Sequence, residues 1–149
     1  MRAIIQRVSS ARVRVGQGVV SEIGKGLLVF AGIEKTDGPD DITYIAGKVR
    51  ELRIFEDTQG KMNMPVGDAS GAVLVVSQFT LCGDCRRGRR PSFDEAASPD
   101  AARPIYDALV KALRTGDFTV ETGEFQARMQ VELVNDGPVT VLLDSQRRF

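Results

Sequence analysis

The chain contains no histidine and no tryptophan, and only two cysteines. Without imidazole it lacks the usual general base, the usual activator of a hydroxyl or thiol nucleophile and the commonest metal ligand. Cys82 and Cys85 are spaced C-x-x-C, but two thiols with no second pair and no histidine cannot complete a four-ligand zinc site. No zinc site is therefore expected. A redox pair of the thioredoxin type should open a helix after a strand, whereas Cys82-Gly83-Asp84-Cys85 leads into an arginine-rich loop, so two free thiols are expected. No stretch approaches the ~18 apolar residues of a membrane span. The opening Met1-Arg2-Ala3-Ile4-Ile5-Gln6-Arg7 has no signal-peptide core, which points to a cytoplasmic protein without membrane contact. Net charge is absent too: 20 basic residues balance 20 acidic ones, so the totals predict no bulk attraction to nucleic acid.

What is present fits one soluble domain over residues 1–149, with 42% apolar and 27% charged residues. Arg2 to Val15 reads as a strand, its second half alternating Ala11, Val13 and Val15 with Arg12 and Arg14. Val19 to Ile23 and the apolar run Leu27 to Ile33 follow across glycine turns, the latter suited to a central strand covered on both faces. Asp37-Gly38-Pro39 opens a helix whose stripe is Ile42, Ile45, Ala46, Val49 and Leu52. Ile54–Glu56 and a segment near Met62 flank a hairpin turn, and Pro65 to Gly71 is a loop. Ala72 to Leu81 is β-prone, buried in front and polar behind. A second helix starts at Ser98-Pro99-Asp100, with Ser98 as N-cap, Pro104 awkwardly inside it and Gly116 beyond its end. Ala127–Val134 and Val139–Leu143 are strands joined by a tight connection, Asn135-Asp136-Gly137-Pro138. Lacking regular βαβ alternation, the pattern predicts an α+β domain: a largely antiparallel sheet with two amphipathic helices.

Three places could carry chemistry. Ser77 and Thr80 offer hydroxyls at the end of a buried strand, where they serve either as nucleophiles or as partners for local backbone groups; nothing adjacent activates them. Arg86, Arg87, Arg89 and Arg90 surround Gly88 in a loop that either grips a phosphate backbone or is merely solvated. The segment Asn135 to Pro138 is either a plain turn with a trans proline or a stiff wedge whose carbonyl oxygens read a ligand. Composition and spacing give no reaction.

The segments SQFTL (Ser77 to Leu81) and NDGPVT (Asn135 to Thr140), the opening RAIIQRVSSARVRV and the loop GDCRRGRRPSF together resemble the D-aminoacyl-tRNA deacylase family. GKGLLVF, LRIFED, GKMN and ARMQVEL follow the same pattern in order, so the resemblance runs nearly end to end. It implies a small β-barrel-like α+β domain acting as a homodimer with active sites at the subunit interface, and hydrolysis of the ester in tRNA carrying a D-amino acid or glycine. It implies that Gly137-Pro138 forms a cis peptide entering the partner's site, a backbone filter that excludes L side chains and cannot reject glycine. Ser77, Gln78, Phe79 and Thr80 would form the catalytic pocket floor, Met129 would line it, and Arg86, Arg87, Arg89 and Arg90 would contact tRNA. Two mechanisms fit the resemblance: attack by Thr80, or water attack assisted by the terminal 2′-hydroxyl of the RNA. With no imidazole to activate Thr80, the second is favoured. The rival readings are a Thr80-nucleophile acyl hydrolase, a noncatalytic tRNA-binding module and a C-x-x-C redox protein.

Overall fold

The computed structural model describes residues 1–148. The chain runs β1 (Arg2–Val15), β2 (Gly18–Ile23), β3 (Gly26–Gly32), α1 (Pro39–Glu51), β4 (Phe55–Glu56), β5 (Met62–Met64), β6 (Ala72–Ser77), a 3-10 turn (Phe79–Cys82), α2 (Pro99–Leu113), β7 (Val120–Thr122) and β8 (Met129–Asp144). The sheet is barrel-like, and β1 is its axis. One edge of β1 pairs antiparallel with β8 along nearly its whole length, and the other is shared between β3 and β2.

The expectation of a largely antiparallel sheet is corrected: the sheet is mixed. β6 lies parallel to β3, and β7 lies parallel to β6. The reason is where the helices fall. Parallel neighbours need a long crossover, and α1 lies between β3 and β6 while α2 lies between β6 and β7. The irregular intervals between these elements hide the βαβ pattern from a reading of periodicity.

β3 is buried on both faces, as its unbroken apolar run requires. Leu27, Val29, Val73 and Val75 face the helices, meeting Ile45, Val49, Leu109 and Leu113. Leu28, Leu74 and Val76 face inward with Val8, Val13 and Ile23. Truncating a fully buried leucine such as Leu109 costs ~2–5 kcal/mol, so α2 is firmly anchored. Pro104 is tolerated inside α2 because it occupies the exposed face. Ser98 holds the N-cap position but makes no side-chain cap hydrogen bond.

Two local expectations change. The run Ala72–Leu81 is not one strand: extended structure stops at Ser77, and the chain tightens into the 3-10 turn. Asn135 to Pro138 is not a connection between two strands either. β8 continues through it in one direction, and the segment is a bulge: Gln6 pairs with Thr140 and Val8 with Asn135, so a step of two residues on β1 is matched by five on β8.

Near the chain ends, an ionic cluster joins β1, the start of α1 and the end of β8. The amino group of Met1 donates to Asp37 and to Ser145 Oγ (2.7 Å), and Arg148 spans Asp144 (2.6 Å) and Glu34 (2.6 Å). Burial raises the Asp37 carboxyl above its usual range despite these partners. Burial also pushes Asp144 upward, but hydrogen bonds from Arg148 and the Gln146 amide outweigh it and leave its pKa lowered. A lowered native pKa adds stability that is complete above the unfolded value, about 4, and is lost as pH falls through the native value. Asp144→Asn should therefore reduce unfolding free energy by about 1–3 kcal/mol at neutral pH. Urea titrations should show the gap to the parent protein narrowing in acid; a gap independent of pH would exclude the charge as its cause.

Candidate active site

A pocket of about 510 Å³ opens where β3 and β6 end side by side. Ala31 and Ile33 form one wall, and Val76, Ser77, Gln78 and Phe79 form the floor. Pro99 and Ala102 of α2, the loop residues Phe125 and Gln126, and Met129 and Val131 of β8 close the remaining sides. The ends of two parallel strands and the first turn of a helix thus converge, so the positive end of the α2 macrodipole faces the cavity. Phe125 is packed at 5.6 Å from the Tyr106 ring, with the Arg103 guanidinium 5.2 Å from its centroid. Tyr106 is itself held by its hydroxyl donating to the carbonyl of Val75 at 2.9 Å.

The polar floor is a tight piece of backbone. The amide of Gln78 donates to the carbonyl of Ala31 at 2.8 Å, extending the β3–β6 pairing by one residue before the chain turns. Phe79 and Thr80 open the 3-10 turn, and the first amides of such a turn have no carbonyl behind them within it. The Gln78 side-chain amide donates to Thr80 Oγ1 at 2.5 Å. The hydroxyl oxygen of Thr80 therefore faces a donor rather than a base, an arrangement that does not activate it as a nucleophile. Phe79 is largely exposed and meets Phe93 edge-on, with ring centroids 5.2 Å apart.

Among the sequence-derived site residues, Ser77, Gln78, Phe79 and Met129 line this pocket together, and Thr80 adjoins it through Gln78. Gly137 and Pro138 do not line it. They form a cis peptide at the exposed crest of the β8 bulge. Two side chains shape this crest. The guanidinium of Arg7, 5% exposed, donates from Nε to the carbonyl of Asp136 (3.2 Å) and from Nη1 to that of Ile54 (2.7 Å). Asn135 Nδ2 donates to the carbonyls of Arg7 (2.9 Å) and Val139 (3.0 Å), tying the base of the bulge. Gly137 has φ +120°, and a Cβ there would lie 2.8 Å from Arg7 Nη2.

The arginine loop projects beyond the pocket, closed at its base by the bridge between Asp84 and Ser92. Its arginines are not equivalent. Arg86 is engaged by Asp84 through two hydrogen bonds of 2.9 and 2.7 Å, which hold that carboxyl well below the usual range. Arg87, Arg89 and Arg90 are exposed and form no salt bridge among the described residues. Cys82 and Cys85 are both free thiols. Burial, and then the nearby Glu34 carboxylate, push Cys82 up to about 11, so it stays protonated and unreactive near neutrality.

Reading the residues alone missed Arg7, Phe125 and the α2 residues of the pocket wall, and it gave the Asn135 side chain no part of its own in the wedge. Phe125 carried a weak signal, an aromatic in the otherwise polar stretch Glu121 to Ala127. Arg7 carried a better one: it shares the period-two face of Ala3 and Ile5, where an arginine must be buried and therefore partnered.

Comparison with known proteins accords with this geometry. Residues 4–144 match the family model described as D-Tyr-tRNA(Tyr) deacylase. Proteins named D-aminoacyl-tRNA deacylase from Thermotoga petrophila and Anaeromyxobacter dehalogenans are 58% and 57% identical over 149 residues, all of this chain and all of theirs. The c-Myc DNA Unwinding Element Binding Protein superposes with a TM-score of 0.92 at 37% identity, over 97% of this chain and 98% of that one. A probable eukaryotic D-amino acid tRNA deacylase shares the fold at a TM-score of 0.77 and 18% identity. End-to-end agreement of this kind places the chain in the D-aminoacyl-tRNA deacylase family, hydrolases that act on the ester of aminoacyl-tRNA.

Proposed function

We propose that the chain hydrolyses the ester of D-aminoacyl-tRNA and of mischarged glycyl-tRNA in the cytoplasm, as a proofreading step in translation that excludes L-aminoacyl-tRNA by backbone shape. The observation that carries this reading is the pairing of a polar pocket floor with a stiffened bulge that stands outside its own pocket. The two meet if a second copy presents its Gly137-Pro138 crest to the first, which calls for a homodimer. β8 supports such an assembly. Among the described residues this 16-residue strand pairs with β1 alone, and it exposes Val134 and Leu142.

In this reading the crest carbonyls receive the substrate's α-amino group, and Arg7 and Asn135 hold them in place. An L side chain would collide with the crest, a D side chain would point away and glycine has none to reject. Backbone amides of Phe79 and Thr80 would receive the oxyanion formed when water adds to the ester carbonyl. The terminal 2′-hydroxyl would assist proton transfer as the C–O bond breaks, the proton passing to the departing 3′-oxygen. No protein base is required because the aminoacyl ester is already activated and positioning lowers much of the barrier. The engagement of Thr80 Oγ1 by Gln78 favours this route over attack by Thr80.

Purified protein should release D-tyrosine and glycine from their tRNAs while leaving L-tyrosyl-tRNA intact; equal rates on D- and L-tyrosyl-tRNA would rule the filter out. Gly137→Ala forces a side chain against Arg7 at a φ that L residues avoid. It should lower the ratio of D to L hydrolysis by roughly tenfold or more, given about 1.4 kcal/mol per decade. Thr80→Val should keep turnover within about tenfold of the parent, while tRNA ending in 2′-deoxyadenosine should lose about a hundredfold or more. The opposite pattern would reinstate Thr80 as the nucleophile. Replacing Arg87 and Arg89 together should weaken tRNA binding and flatten its dependence on log salt by a slope of about 1–2. Fluorescence anisotropy across a salt series would read this, and an unchanged slope would remove the loop from the contact.

A further inference from the structure

We propose that Arg2 is a positioning residue for this pocket: paired with Glu34, its guanidinium fixes the Leu81 carbonyl and thereby the turn that carries Phe79 and Thr80. The inference rests on the pocket being the site of ester hydrolysis. The entry of the turn is tied to β3 by the Gln78 amide on the Ala31 carbonyl. Among the described residues, Leu81 and Cys82 at its exit make two side-chain-mediated hydrogen bonds to the body of the protein. One is weak, a thiol of Cys82 against the carbonyl of Ile33 at 3.5 Å. The other is charge-assisted, Arg2 Nη1 donating to the Leu81 carbonyl at 2.9 Å.

Arg2 is aimed from behind. Its Nη2 lies 3.2 Å from Glu34 Oε1, and Glu34 is 3% exposed and gripped on its other oxygen by Arg148 at 2.6 Å. Arg2 Nε and Glu34 Oε1 are both buried without a hydrogen-bond partner, so Arg2 and Glu34 form an ion pair rather than a hydrogen bond, and the 2.9 Å bond to the Leu81 carbonyl is the hydrogen bond that the Arg2 side chain makes among the described residues. The backbone of Arg2 pairs with Gly32 and Asp144, which places it at the end of β1 beside the turn. Gly32 completes the seat. A Cβ at Gly32 would lie 2.9 Å from Leu81 Cβ, 3.0 Å from the Gln78 carbonyl and 3.2 Å from Cys82 Sγ. The turn is therefore pressed against β3 as closely as bare backbone allows, held at its entry by the Gln78 amide and at its exit by Arg2 and the weaker Cys82 contact. A planar fork is needed to serve Glu34 and Leu81 at once, and a lysine ammonium on a flexible stem does not reproduce it.

Misplacing a catalytic group by about 1 Å costs on the order of a hundredfold in rate. Arg2→Ala and Arg2→Lys should accordingly lower kcat on D-tyrosyl-tRNA by about ten- to a hundredfold, with KM changed by less than about threefold. Millimolar guanidinium should restore part of the kcat of Arg2→Ala, a response that a loss of global stability would not give. Met129→Trp, which fills the pocket from β8, serves as the reference. If it abolishes turnover while Arg2→Lys, folded by circular dichroism, retains the parent kcat, the positioning role is overturned and the pocket stands. If both variants turn over at the parent rate, the pocket itself is misassigned and the inference falls with it.

Discussion

Pairing of β1 on both edges is the constraint from which the rest of the structure follows. A 14-residue strand with β8 along one side and β3 and β2 dividing the other cannot slide by one residue without turning Ala3, Ile5, Val8 and Val13 out of the core. Both parts of the proposed site are referenced to this strand. Arg2, at its start, reaches the turn beneath the pocket, and Arg7, five residues later, reaches the bulge that carries Gly137 and Pro138. Floor and crest are thus set by two arginines on the most firmly registered strand in the sheet. A site built on regular elements is held more accurately than one built on loops alone.

The chemistry suits a protein without imidazole. An activated ester needs little from an acid or a base, and in the proposed mechanism a pocket of backbone amides and apolar walls would supply position and electrostatic complementarity instead. Backbone also suits a selector that must ignore side-chain identity. A pocket that bound a particular side chain would be limited to it, whereas in the proposed reading a crest of main chain would exclude one hand and tolerate many substituents. The burial of Arg7 is consistent with that demand. Withdrawing a guanidinium from water is costly unless its donors are satisfied, and here they meet the carbonyls of Asp136 and Ile54.

Much of this was legible in the residues, and the failures are instructive. The alternation along β1, the doubly buried run of β3 and the stripes of α1 and α2 are local signals, repeated often enough to be read directly. The mixed sheet was not legible, because parallel pairing depends on which strands the helices carry together, and nothing in Val73 or Val120 marks its neighbour. The turn at Phe79–Cys82 was concealed by β-prone residues: it forms because Gly32 leaves room for a close approach and Arg2 holds the exit. The continuity of β8 through Asn135 to Pro138 was concealed by residues that favour turns in isolation. Pairing with β1 on either side overrides that local preference.

Sequence alone determined that the chain has no histidine and only two cysteines to offer as soft metal ligands. It also located the polar end of a buried strand, and its end-to-end pattern marked the family. Those conclusions depend on composition and on local periodicity, which survive without knowledge of the fold. Tertiary structure alone decided that Ser77, Gln78 and Phe79 share a cavity with Phe125, Met129 and α2, that Arg86 is neutralised by Asp84, and that Gly137-Pro138 stands away from its own chain's pocket. The reason is physical: these relations join residues far apart in the chain, and only the closing of the sheet around β1 brings some of them together and holds others apart.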